Sequence, residues 1–423
     1  MKIHASLLLA ALLCACGDSE SSGGGGEGAT GGRGGAGAGA SNGGSSDGGT
    51  SDGGGAPTDL DDLLARLRAD RDATLLDESY VHGWPVAVEE GLVVVSTDPT
   101  LSSFGGDFSE WAPVALTADE GFSWGLLPAE PAQRYKLADG AGTFAADPWA
   151  RAYAYDDFGE ISLVPGPEAH LERFFEVGAG ASSLEPRTVR VWLPEGRVTH
   201  VLFVHDGQNL FDPEAIWGGW RLDESAPAGM MLVGIDNTAA RMDEYTQVPD
   251  DIGEVVGGLG DEYAALVEEV VRPLVADQYG EPAVVGTMGS SLGGLISLHI
   301  GLTYPDRYDF IASLSGTLGW GSIGAHTGET LIERYEAAGL QPFTVYLDSG
   351  GDGPCADTDG DGIQDDGDGS DNYCETVQMR DVLAADGWVF DETLFHWHEP
   401  GAEHNEQAWA DRVFRPLGIF AAM

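Results

Sequence analysis

The pentapeptide Gly289-Ser290-Ser291-Leu292-Gly293 follows the run Ala283-Val284-Val285-Gly286-Thr287-Met288 and precedes Leu292–Leu302. A serine between glycines, after a strand-like run and before a helix-like one, calls for a strand that turns sharply into a helix, with the hydroxyl exposed at the turn. The glycines suit a turn whose neighbouring strand and helix leave no room for side chains. That unit needs a sheet with helices packed on it, so an all-helical bundle and a fibrous chain are both excluded. A wholly disordered chain is also excluded, because 42% of the 423 residues are apolar, enough for a sizeable core.

The surrounding pattern agrees with that sheet. Thr188–Leu193, Val201–His205, Phe310–Leu314, Phe343–Leu347 and Thr393–His398 read as strands, and Glu375–Ala385 as a helix. Asp261–Tyr279 reads as a long amphipathic helix, with Tyr263, Leu266, Val267, Val270, Val271 and Leu274 at helical spacing. Strands alternating with helices predict an α/β domain with a mainly parallel central sheet over residues 166–423, active at the carboxyl ends of its strands. Before it, a short helix is expected over residues 59–70, with Leu60, Leu63, Leu64 and Leu67 on one face. Leu92–Ser96, Trp111–Leu116 and Phe122–Leu127 read as strands of a small β-sandwich, so residues 58–165 form a separate N-terminal domain in this reading. With Tyr135–Gly140, Asp147-Pro148 and Tyr155–Gly159, it resembles the immunoglobulin-like, carbohydrate-binding-module-like sandwich that precedes the catalytic domain of enterochelin-esterase-like proteins.

A serine nucleophile needs a base. His404, in Pro400-Gly401-Ala402-Glu403-His404, lies on a loop after the last strand and before the C-terminal helix, where the order serine, acid, histidine puts it. His396 and His398 belong to the strand itself, and the His205 segment reads as scaffold around an oxyanion loop. The acid must follow Phe343–Leu347; Asp348, Asp352 and Asp371 all satisfy the order, with Asp371 preferred slightly over Asp352 on its short spacing to the following helix. Trp217 and Trp220 are either pocket walls or core residues.

Cysteine usage bears on the same region. Leu13-Cys14-Ala15-Cys16 closes a leader with one lysine and an apolar run too short to span a bilayer, and it resembles the lipobox of bacterial lipoproteins. Residues 1–15 are then a signal peptide, Cys16 is acylated, and residues 16–57, which hold nineteen of the 63 glycines, form a disordered tether. That reading makes the protein exported and lipid-anchored, on a periplasmic or cell-surface face and most simply at the outer membrane. Cys355 and Cys374 remain, and an exported compartment permits their disulfide. Between them, Asp357, Asp359, Asp361, the Ile363 carbonyl, Asp365 and Asp368 fall at calcium-loop positions 1, 3, 5, 7, 9 and 12, with Gly362 at the turn. A structural Ca2+ in the insertion 355–374 is expected, and no cofactor for catalysis.

The constellation His205-Asp206-Gly207-Gln208-Asn209, Val233–Asn237, Glu244-Tyr245, Gly289–Gly294 and Gly401–His404 resembles the putative esterase family of enterochelin-esterase-like and esterase D-like α/β-hydrolases. The resemblance implies an α/β-hydrolase fold without a large lid, and Gln208 and Leu292 as backbone donors of the oxyanion hole. It implies a serine ester hydrolase working through an acyl-enzyme on a small-molecule or glycan ester.

Charge narrows the substrate. With 20 Lys plus Arg against 70 Asp plus Glu, the net charge is −50, which excludes nucleic acid as a partner. It also disfavours anionic catecholate siderophores, so a neutral ester such as an acylated or feruloylated carbohydrate is expected over a siderophore. A non-catalytic glycan-binding lipoprotein is the rival class.

Overall fold

A computed structural model describes residues 58–128, 130–131, 133–366 and 371–423. The expected signal peptide, Cys16, the tether and Asp368 lie outside the described residues.

The expected first helix runs Leu60–Ala69, capped by Asp59, whose side chain accepts from Asp62 N at 2.9 Å, and it buries Leu63, Leu64 and Leu67. A second helix, Arg71–Val81, follows directly, with Asp70 as its cap. Its buried face is Thr74, Leu75, Glu78 and Ser79, so hydrophobic periodicity does not reveal it.

The N-terminal strands are β1 (Val86–Val88), β2 (Gly91–Ser96), β3 (Leu101–Gly106), β4 (Val114–Ala115), β5 (Thr117–Ala118), β6 (Ser123–Leu127), β7 (Arg134–Asp139), β8 (Phe144–Ala145), β9 (Ala152–Asp156) and β10 (Gly159–Leu163). The strand expected over Trp111–Leu116 shrinks to β4, because Glu110 and Trp111 turn the chain with φ of 51° and 62° and Pro113 has no N–H to give a ladder. One sheet has the order β1-β2-β6-β5. In β2, Val93 and Val95 pack under the two helices, while Leu92 and Val94 pack on Phe104, Tyr135 and Leu137 of the facing sheet. Burial on both faces is why this strand is apolar without alternation.

The remaining strands are β11 (His170–Val177), β12 (Arg187–Leu193), β13 (His200–His205), β14 (Met230–Ile235), β15 (Pro249–Asp251), β16 (Val255–Gly257), β17 (Val284–Ser290), β18 (Phe310–Leu314), β19 (Thr344–Ser349), β20 (Cys355–Ala356), β21 (Asp365–Asp366) and β22 (Leu394–His398). Among the described residues a fourteen-stranded mixed sheet runs β22-β19-β18-β17-β13-β14-β12-β11-β9-β10-β7-β3-β4, with β8 beside β7. From β22 to β14 all pairs are parallel; from β14 to β12 onward they are antiparallel. The sheet is therefore α/β and parallel where the motifs lie. It passes residue 166 unbroken, since β9 pairs with β11 (Leu171 with Tyr153).

Strand β13 feeds both cores. Val201 and Phe203 pack with the helix Leu292–Thr303, and Leu202 and Val204 with the C-terminal helices Glu406–Ala410 and Phe414–Phe420. The helix expected over Asp261–Tyr279 is three pieces: Gly260–Leu266, a wider π-helical turn Val267–Val271, and Arg272–Tyr279. Pro273 stands just after the turn; a proline removes an N–H and crowds the carbonyl four residues back, and a π turn relieves both. No helix among the described residues is long and apolar enough to cross a membrane.

Candidate active site

Strand β17 ends at Ser290, and Ser291 stands before the helix with φ 55° and ψ −124°, a conformation rare for a residue with a side chain. Its N–H donates to Leu314 O at 3.0 Å, which ties the turn to β18. Gly289 is needed here, since a Cβ on it would lie 2.5 Å from the Gly293 backbone. Ser291 is 2% exposed, and its Oγ is 3.5 Å from Thr317 Oγ1.

His404 follows β22, ahead of the helix Glu406–Ala410. Its Nδ1 lies 2.7 Å from Asp371 Oδ1, and its ring meets the Trp409 ring edge-on at 5.0 Å. Since a carboxylate oxygen accepts, Nδ1 carries the hydrogen of the neutral ring and Nε2 is left as an acceptor. Asp371 Oδ2 accepts from Ser315 Oγ at 2.8 Å, from Gly350 N and from Arg412 Nη2 at 3.3 Å. Asp371 and Asn372 both have left-handed backbones, φ 47° and 54°. The Asn372 amide donates to Ser315 O at 2.8 Å and to Thr317 Oγ1 at 3.3 Å, so the Asp371 segment is fastened to Thr317, which also bonds Ser291. Ser291 and His404 share no direct hydrogen bond among the described residues, a common state of a substrate-free site.

Asp352 is exposed and accepts from Gly353 N at 2.8 Å; of the three acids that chain order admits, it is Asp371 that meets His404. Asp348 is buried within β19, bonded by Arg412 Nε at 2.9 Å and Tyr346 OH at 3.0 Å. His205 is buried between Tyr263 OH (2.9 Å) and Thr287 Oγ1 (3.1 Å), and burial lowers its pKa to about 3, so it is a neutral scaffold group. Burial likewise takes His396 down to about 4. His398 holds Gly351 O at 3.0 Å.

The turn after β13 opens with Asp206 at φ 62°. Burial works against the Asp206 carboxylate, but Arg241 (2.7 and 2.8 Å) and the Asn237 amide (2.6 Å) outweigh it and hold its pKa below the usual value. Gly207 lies so close to β14 that a Cβ would meet Asp236 Oδ1 at 2.6 Å. The Gln208 side chain accepts from Asn237 N at 3.1 Å. Neither Gln208 N–H nor Leu292 N–H has an acceptor among the described residues, so both are available to a ligand oxygen.

Glu406 is a site residue that sequence reasoning missed. It is 3% exposed, and Asn209 Nδ2 donates to it at 3.3 Å, which links the His404 loop to the Asp206 turn. Burial pushes its pKa up to about 7; Asp206 adds to this, while Arg241 and His404 oppose it. Trp220 is a core residue packed on Trp409 at 6.0 Å, whereas Trp217 is 57% exposed with φ 55° in the turn that the helix Glu406–Ala410 contacts. A cavity of about 340 Å³ is walled by Phe175, Glu185, Arg187, Thr188, Asp236 and Asn237, and the N–H of Asn237 donates to the Gln208 side chain.

The Cys355–Cys374 disulfide joins β20 to the helix Tyr373–Asp386 and closes the loop between them, with Cα atoms 5.3 Å apart. Asp357 accepts from Gly360 N (2.6 Å) and Gly362 N (3.1 Å), Asp361 from Ile363 N (2.8 Å), and Asp365 from Thr358 N (2.8 Å). Asp359 and Asp361 offer oxygens within 4.8 Å of a ring nitrogen of His326, a residue the sequence pattern did not single out. The donors of this loop are mainly carboxylate oxygens, the kind Ca2+ takes.

The family described as "Putative esterase" matches residues 181–415. The chain is also similar to "Uncharacterized protein YbbA" of Bacillus subtilis (strain 168), 30% identical over 158 residues, which is 34% of this chain and 58% of that protein. The match thus spans little over half the length of that relative. Similar solved structures include an IroE-like serine hydrolase from Shewanella oneidensis (18% identity, TM-score 0.44, 60% of this chain and 80% of that one). Others are the enterobactin esterase FES from Shigella flexneri (15%, 0.42, 78% and 93%) and the siderophore hydrolase EstA from Aspergillus nidulans (17%, 0.43, 59% and 94%).

Proposed function

Because the chain belongs to the putative esterase family, by a match over residues 181–415, we propose that it is a serine carboxylic ester hydrolase working through an acyl-enzyme. One set of observations supports the mechanism: Ser291 sits at positive φ before a helix and is linked through Thr317 to Asn372, the neighbour of the buried Asp371 that accepts from His404, while the Gln208 and Leu292 N–H groups have no acceptor among the described residues. Ser291 Oγ attacks the ester carbonyl as His404 Nε2 takes its proton. The Gln208 and Leu292 N–H groups receive the oxyanion, each worth about 3 kcal/mol in such sites. Asp371 fixes the ring tautomer and stabilises the imidazolium, which then protonates the leaving alcohol. Water, deprotonated by the same nitrogen, releases the acid and restores Ser291.

The substrate in this reading is a neutral ester, an acylated or feruloylated carbohydrate. The guanidinium groups of Arg241 and Arg412, and that of Arg187 in the cavity wall, are engaged by Asp206, by Asp348 and Asp371, and by Glu244. The same polar cavity suits a hydroxyl-rich alcohol portion, and the exposed Trp217 suits a ring at the rim. Residues 58–165 are read as a β-sandwich that shares a sheet with the hydrolase portion 166–423. Export through residues 1–15, acylation at Cys16 and a tether to residue 57 would place the enzyme on a periplasmic or surface face. A Ca2+ held by Asp357, Asp359, Asp361, the Ile363 carbonyl, Asp365 and Asp368 would offset the repulsion of these carboxylates.

The test is hydrolysis of p-nitrophenyl acetate by the wild type and Ser291→Ala, followed by acetyl-sugar, feruloyl-sugar and siderophore esters. The substitution is expected to cost at least about 10⁴-fold in kcat. An inactive wild type returns the chain to the non-catalytic binding class. A low micromolar KM for a ferric siderophore ester overturns the neutral substrate.

A further inference from the structure

Behind Asp371 lies an arrangement that the mechanism above does not use. Arg412 is buried, its side chain 2% exposed, between two carboxylates whose side chains are fully buried, Asp348 and Asp371. Its Nε donates to Asp348 Oδ1 at 2.9 Å; its Nη2 donates to Ser315 Oγ at 2.6 Å and reaches Asp371 Oδ2 at 3.3 Å. Nη1 donates to Ala408 O at 3.2 Å, which anchors the fork to the helix that follows His404.

The direction of the Ser315 hydroxyl follows from its neighbours. Its oxygen receives Arg412 Nη2 and, at 3.1 Å, Trp409 Nε1, both of which can only donate. The hydroxyl hydrogen is therefore left for Asp371 Oδ2 at 2.8 Å. Ser315 has φ 48° and its N–H donates to Asp348 O at 2.8 Å, so a strained backbone aims this hydroxyl. Three donors thus fill Oδ2 of Asp371, and Oδ1 is left facing His404.

We propose that Arg412 is a positioning residue of the esterase: shared between Asp348 and Asp371, it sets how much negative charge Asp371 presents to His404, and Asp348 meters that share. The proposal rests on the esterase reading with Asp371 as acid. Burial raises Asp348 to about 6, with Arg412 opposing and Asp371 adding to the rise, so the share is set close to neutral pH. The other charged or titratable groups facing the cluster are Tyr346 toward Asp348, Arg415 toward Tyr346, and Glu406 toward His404. They are common to every variant compared below.

Removing the guanidinium leaves Asp371 uncompensated beside His404, so the imidazolium is favoured. Arg412→Met should move the acid limb of the kcat/KM profile to higher pH by about one unit and cost up to about tenfold on that limb. Arg412→Lys, which keeps the charge and loses the fork, should restore the limb and leave kcat low. Asp348→Asn frees Arg412 for Asp371 alone and should move the limb the opposite way, to lower pH. The experiment measures both profiles on p-nitrophenyl acetate and, without substrate, the NMR titration of the His404 ring in the same variants. Opposite displacements of the ring titration establish the positioning role even if Ser291→Ala shows that turnover has another origin. Lower melting temperatures with the His404 titration unmoved in both Asp348→Asn and Arg412→Met, or displacements of the same sign, overturn it.

Discussion

Glu406 carries a cost that the fold accepts for the sake of the site. Its folded-state pKa of about 7 lies above the ordinary carboxyl value, so the folded chain binds this proton more tightly than the unfolded chain. Its contribution to stability is complete below pH 4.5 and is lost as the pH rises through about 7. Glu406→Gln keeps an acceptor for Asn209 and removes that loss. The variant should therefore be more stable than wild type at pH 8 by about 2 kcal/mol, with the gap closing toward pH 4, as urea unfolding at the two pH values will show. Neither Glu406 nor Arg412 was legible in the sequence, because a charged residue is assigned to the surface until a partner is known, and their partners lie 197 and 64 residues away. Ser291 and His404 stand out in sequence because short glycine-bounded motifs mark them. Between Asp352 and Asp371 the sequence favours Asp371 only slightly, on its spacing to the following helix, since chain order admits both.

At the scale of elements, Asp371 belongs to a loop rather than to a strand end. Asp371 stands three residues before Cys374, inside the loop that the disulfide closes and directly after the calcium-loop sequence. Opening the bond, by reductant or by Cys355→Ser, should lower the melting temperature, a loop of this length being worth about 3 kcal/mol. It should also lower kcat on p-nitrophenyl acetate more than it raises KM, because Asp371 loses its register with His404 while the turn at Ser291 is untouched. Equal kcat in reduced and oxidised enzyme would show that Ser315, Gly350 and Arg412 suffice to hold the acid. The parallel strands and the helix after Ser291 were readable as apolar runs between turns. The helix Arg71–Val81 was not, because polar side chains fill its buried face, and the π turn before Pro273 was hidden because hydrophobic spacing continues through it.

For the whole molecule, charge dominates. A chain of net charge −50 repels itself, and burial additionally raises Asp147, Asp223 and Asp348 to about 6 each. Each raised group stabilises the fold at low pH and stops doing so as the pH climbs through about 6. Asp107, Asp119 and Asp206, whose pKa values are lowered, act in the opposite sense and lose their contribution only in stronger acid. The melting temperature should be higher near pH 5.5 than at pH 8, and added NaCl should raise it more at pH 8, where more charge awaits screening; calorimetry across a salt series checks both. The continuous sheet has a consequence of another kind. A β-ladder is a poor hinge: turning the N-terminal strands away from the rest would mean unzipping β9 from β11. Whatever those strands hold is therefore carried at a constant reach from Ser291.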